Sequence, residues 1–158
     1  SPLGAVMALG AGVVTLARLW QWRLYWVRQE PLLWVLQLGQ LWVAIGYILF
    51  ACTALGWLPA NVWLHALGAG AMGTMILGVM TRVCMGHTGR PLKLPSGGVW
   101  IYILVTAAVL VRLAAALNWI ALPLGWWLAA ALWSLAFGLF LLRYSGILLA
   151  PRPDGKAG

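Results

Sequence analysis

Five apolar runs, each long enough to cross a bilayer as a helix, dominate this sequence. They cover residues 3–19, 32–55, 62–85, 99–117 and 122–142, and roughly 20 helical residues traverse the 30 Å or so of hydrocarbon in a bilayer. Inside hydrocarbon the backbone N–H and C=O groups have no water to bond. Runs of this length must therefore close their hydrogen bonds within the segment, as helices. The connections carry turn chemistry: Gly56-Trp57-Leu58-Pro59-Ala60-Asn61, then residues 86–96 with Pro91 and Pro95, then 118–123. The sequence predicts an all-α membrane protein, a bundle of about five transmembrane helices forming a single domain over 1–158, with 143–158 as a tail.

Composition excludes the soluble alternatives. The chain is 64% hydrophobic and 8% charged, against roughly 45–50% and about 25% for soluble domains. A net charge of +8 could suit nucleic acid, but the basic residues fall in short clusters between apolar runs rather than along a phosphate track. Arg18, Arg23 and Arg28 flank the first connection, Arg82, Arg90 and Lys93 the third, and Arg143, Arg152 and Lys156 the tail. Nine of the ten basic residues thus share one side, which the positive-inside rule makes cytoplasmic. Trp57, Trp63, Trp119 and Trp126 mark the outer interface, and Trp20, Trp22, Tyr25, Trp26, Trp100 and Tyr144 the inner one. A multi-pass membrane protein with a cytoplasmic C-terminus is the expected topology. Nucleic acid is not an expected partner; the lipid bilayer is.

The opening Ser1-Pro2, with no initiator Met and a first span of barely sufficient length, reads as a segment of a longer polytopic protein. The absent part, or another membrane subunit, is then an expected partner, and a homo-oligomer stays open.

Few residues carry chemistry. His65 lies about a turn inside the slab, where an imidazole is costly unless partnered; it is read either as a metal or haem ligand or as satisfied by a carbonyl or Trp. Ala66, Gly70, Thr74 and Gly78 recur every four residues, a stripe that suits close helix packing or the face of a flat ligand. Met72 lies seven residues after His65, on the same side of a regular helix, as core filler or a ligand. Arg112 is the one charge well inside a span, close in depth to His65, and is read as binding an anion or snorkelling outward. Cys52 shares the level of His65, which leaves a soft-metal role beside that of a small buried side chain. His87 follows the inner end of the third span; the 22 residues from His65 put it roughly 33 Å away, so the two cannot ligate one centre. No paired intramembrane carboxylates, Ser-His-Asp set or phosphate loop is visible, so the catalytic residues are unknown.

Three stretches carry a family resemblance: Trp34-Val35-Leu36-Gln37-Leu38-Gly39-Gln40-Leu41-Trp42 with Gly46; Leu64-His65-Ala66-Leu67 through Thr81-Arg82-Val83-Cys84-Met85-Gly86-His87-Thr88-Gly89-Arg90-Pro91-Leu92; and Pro151 to Gly158. The chain resembles the C-terminal part of the NnrS family, bacterial inner-membrane proteins linked to nitric oxide metabolism and stress. The resemblance implies a haem- and copper-associated membrane protein of nitric oxide metabolism or nitrosative-stress resistance, with haem b in the full-length member and copper as a further metal. It points to His65 and His87 for metal or haem, with Arg82 and Arg90 around the inner site. A haem at His65 would then use the glycine face at Gly70 and meet Arg112 through a propionate, and Met72 and Cys52 are the remaining soft ligands. The alternative is a passive membrane subunit or transporter-like fragment without a redox centre.

Overall fold

The computed structural model describes residues 1–22, 27 and 29–155. Among the described residues, five helices are long and apolar enough to span a membrane: α1 (Pro2–Gln21), α2 (Pro31–Ala54), α3 (Val62–His87), α4 (Val99–Ala116) and α5 (Leu122–Leu149). Among the described residues there is no strand. The expected fold is the observed one. Arg23, Tyr25, Trp26, Arg28 and Lys156 lie outside the described residues, and so do Ala157 and Gly158.

Two boundaries move, each for a physical reason. In the sequence the last apolar run stops at Leu142 because Arg143 follows, yet α5 continues to Leu149. A cation at headgroup depth does not break a helix. Pro151 does, by forcing Ala150 out of the helical region to an extended ψ of 149°. The tail therefore begins at Ala150. Likewise α3 runs to His87, which closes the helix rather than following it.

Three helices end in the same way. Gly56, Gly89 and Asn118 have φ of 79°, 69° and 59°. Behind each, the next amide reaches back five residues: Trp57 N–H to the Cys52 carbonyl, Arg90 N–H to Met85 and Trp119 N–H to Ala114, at 2.9–3.1 Å. These are Schellman ends, which satisfy carbonyls that an abruptly cut helix would leave bare in an apolar setting. Asn118 tolerates the left-handed conformation better than most side chains.

The helices pack in sequence order, α1 on α2, α2 on α3, and α4 on α5, with α3 also touching α4 and α5. Near the basic end, Val35, Leu77, Tyr102, Val105, Phe140 and Tyr144 form the main core. Near the uncharged end, Trp42, Ala66, Ala71 and Val109 form a second. A small cluster of Ala5, Ala8 and Ala51 joins α1 to α2.

Inside α3 the helix is not regular. Between Val62–His65 and Gly73–His87 it widens into π-helical turns over Ala66–Met72. Such turns are rare and concentrate at functional sites. Small residues make this stretch free of side-chain crowding, and neighbouring helices press into it. Leu67 fills the notch at Gly46 of α2, the Trp42 ring covers Gly70, and the Trp133 ring covers Gly73.

Candidate functional site: a groove between the third, fourth and fifth helices

A groove of about 390 Å³ opens between α3, α4 and α5 in the half of the bundle nearer the uncharged loops, lined by His65, Gly68, Ala69, Ala108, Arg112, Trp126, Ala129, Ala130 and Trp133. Its volume is within the range of small-molecule sites, roughly 300–1,000 Å³. Two polar side chains enter an otherwise apolar wall, one from α3 and one from α4.

Helix register explains the meeting. The turn between α4 and α5 is short, so the two run as an antiparallel hairpin. Arg112, five residues before Leu117, then faces Trp126, five residues after Ala121. The guanidinium carbon of Arg112 sits 5.6 Å from the Trp126 ring centroid, a cation–π contact. Neither the His65 imidazole nor the Arg112 guanidinium has a side-chain hydrogen bond among the described residues.

Other expected members of this site lie elsewhere. Gly70 is buried on a different face: a Cβ there would stand 2.9 Å from Cγ and Cδ2 of Trp42, so its neighbour is α2. The stripe of Ala66, Gly70, Thr74 and Gly78 is buried throughout and packs helix on helix. Met72 is 62% exposed and does not line the groove. The wider turn of the π segment changes the angular step, so seven residues no longer return to the side of His65. Cys52 is half-buried near the C-terminal end of α2 and also stays outside the groove. Among the described residues no three of His, Cys, Asp and Glu come together as a metal-binding group.

The second cluster is at the basic end. Arg152 grips Asp154 with both edges of its guanidinium, Nε to Oδ1 at 2.9 Å and Nη2 to Oδ2 at 2.6 Å, and its Nη1 donates to the His87 carbonyl at 2.9 Å. That hydrogen bond to Asp154 raises the pKa of Arg152 further above its already high ordinary value. Gly89 makes room for the carboxylate, since a Cβ there would lie 2.8 Å from Cγ of Asp154. Arg90 donates to the carbonyls of Thr88 and Ile147 at 3.4 and 3.3 Å. Thr88 Oγ1 donates to the Cys84 carbonyl at 2.6 Å. Residues 86–92 are therefore folded back on the helix ends and clamped by the tail, as the glycines bracketing His87 lead one to expect. The His87 side chain itself is exposed, and Arg82 makes no hydrogen bond or ion pair among the described residues.

A sequence model described as NnrS protein matches residues 1–152. The chain belongs to the NnrS family. No curated protein and no solved structure matches it. NnrS membership places the chain among nitric-oxide-related membrane proteins, and its five spanning helices make it a multi-pass one.

Sequence reasoning missed Trp133, Gly68, Ala69 and Ala108 as groove residues and took Trp126 only as an interface marker. A signal for Trp126 was present, because pairing α4 with α5 about the turn at Asn118 puts it opposite Arg112. Trp133 had none, since its place over Gly73 depends on the π segment.

Proposed function

We propose that this NnrS protein binds haem b in the α3–α4–α5 groove as part of its role in nitric oxide metabolism or nitrosative-stress resistance, in a bacterial inner membrane with the basic end cytoplasmic. The observation that carries the reading is the convergence of His65 and Arg112 from different helices onto one indole-walled groove.

The donor chemistry of the groove fits the group. His65 offers one axial nitrogen, Arg112 a cation for a propionate, and Trp126 and Trp133 flat walls. The remaining lining residues are Gly and Ala, which cannot coordinate iron, so the groove supplies a single axial ligand. A haem held this way would supply a coordination position able to take nitric oxide. The chain's own part is to orient the ring, hold its carboxylate at the outer edge and keep bulk water from the apolar wall.

The test is an absorption spectrum with metal analysis of the purified protein, wild type against His65→Ala and His87→Ala. Loss of the haem spectrum in His65→Ala with retention in His87→Ala is the expected result. Equal haem content in wild type and His65→Ala would overturn the reading and leave a passive membrane subunit.

A further inference from the structure

Among the glycines of α3, one has no packing reason. Cβ atoms at Gly70, Gly73 and Gly78 would run into Trp42, Trp133 and Val35, and one at Gly86 would touch Leu92; one at Gly68 would meet nothing within 4 Å. Its backbone is helical and needs no positive φ. A glycine in a helix interior costs about 1 kcal/mol relative to alanine, and nothing within the chain offsets that here. Gly10, Gly138 and Gly146 have open space too, but none of them lines the groove of His65 and Arg112.

The groove's mouth lies within the spans, not at the helix ends. On its wall Gly68 and Ala130 are exposed and Trp126 is 52% exposed. None of these three carries a charge, and the helical backbone at Gly68 and Ala130 is bonded within its own helix. A ligand reaching His65 by this mouth arrives sideways through hydrocarbon.

We infer that Gly68 is the specificity-determining residue of the groove: its missing side chain opens a lateral, lipid-facing mouth that admits a flat, carboxylate-bearing ring such as haem edge-first, with its face along Gly68 and Ala69 and its acidic edge toward Arg112. This rests on the haem reading of the same groove. Shape selects at Gly68 and charge at Arg112. A Cβ at position 68 meets nothing within 4 Å, so a branched side chain there extends into the space the ring would take.

The experiment uses the protein in lipid nanodiscs, titrated with haem b and followed by absorption. Gly68→Leu should weaken binding at least tenfold and Gly68→Ala by less, whereas Gly138→Leu, equally open but far from the groove, should bind as wild type. Folding is monitored by helical content and thermal midpoint. Binding lost in His65→Ala but kept in Gly68→Leu would overturn the inference while sparing the haem reading; binding kept in His65→Ala would overturn the haem reading itself. A second measurement needs no haem. A nitroxide at Gly68→Cys, in a Cys52→Ser, Cys84→Ala background, should be relaxed strongly by oxygen and weakly by a water-soluble nickel chelate. Weak oxygen collision would mean that another helix covers the mouth and would overturn the lateral route.

Discussion

The guanidinium of Arg112 lies over the indole of Trp126, carbon to centroid 5.6 Å, and ties the α4–α5 hairpin across the groove. Cation–π contacts contribute roughly 0.5–2 kcal/mol, least when exposed and most with the better π face of Trp. Trp126→Leu should therefore lower the unfolding free energy by about 1 kcal/mol, and Trp126→Phe by less. Arg112→Lys should behave like Trp126→Leu, because a compact ammonium does not stack as a planar guanidinium does. Reversible denaturation in micelles checks the order; a Leu variant as stable as wild type would remove the contact from the account.

Gly68 and Gly70, two residues apart on α3, should respond oppositely to the same methyl group. At Gly70 the added Cβ would meet Trp42 at 2.9 Å, and overpacking of this kind costs about 1–3 kcal/mol. At Gly68 it meets nothing, so Gly68→Ala should be neutral or stabilising by up to about 1 kcal/mol. Thermal midpoints of the two variants, measured side by side, give the sign.

Thr81 and Tyr102 are fully buried and bonded to each other at 2.6 Å. Thr81 also donates to the Gly78 carbonyl, so its single proton is committed and the Tyr102 hydroxyl must be the donor between them. Thr81→Val would strand that hydroxyl in the core, costing about 1–3 kcal/mol. Tyr102→Phe removes the donor itself and should cost less. The double variant should be less destabilised than the sum of the two single ones, and strict additivity would show that the hydroxyls are not coupled.

The clamp at the basic end should govern local order rather than global stability. The Arg152 and Asp154 side chains are 24% and 31% exposed at the surface, and ion pairs open to solvent contribute little. Arg152→Ala should leave the thermal midpoint unchanged yet speed amide exchange over residues 86–90, where its bond to the His87 carbonyl is lost. Arg152 stays charged at every working pH, and its bond to Asp154 raises its pKa further, so alkaline titration through that raised value would remove its contribution. Gly89→Ala should speed the same exchange and also destabilise, since φ of 69° costs an L-residue roughly 1–2 kcal/mol.

Orientation is the remaining expectation. Cysteines placed near Asn61 and Asn118 should label from one side of the membrane, and cysteines near Lys93 from the other. Labelling of Lys93 and Asn61 from the same side would contradict the order of the five helices.

The spans were legible because hydrophobic length alone decides them, and the inner loop because Gly86 and Gly89 bracket it. His65 and Arg112 were legible as a pair because they share a depth. What hid was rotation. Four-residue spacing of small groups at Ala66, Gly70, Thr74 and Gly78 says that something approaches closely, but not whether it is a ring or the Trp42 indole. The π segment is set by what α2 and α5 press into it, and a single apolar helix carries no sign of neighbours that have yet to fold against it.

The turn at Asn118 has a consequence for how this chain enters a membrane at all. Its backbone is internally bonded through the Trp119 and Asn118 amides, and the stretch from Leu117 to Ala121 holds no charge, so the α4–α5 hairpin can be pushed across a bilayer tip-first with little polar burden. Arg143 lies toward the far end of α5, so the charge that travels with the tip is Arg112, for which insertion scales give a penalty of about 2.5–3.5 kcal/mol near the middle of a span and less toward its end. During biogenesis, then, the cation that lines the groove is also the residue that most opposes delivery of the hairpin into the bilayer. The nearby Trp126, arriving on the same hairpin, is the first partner it meets there.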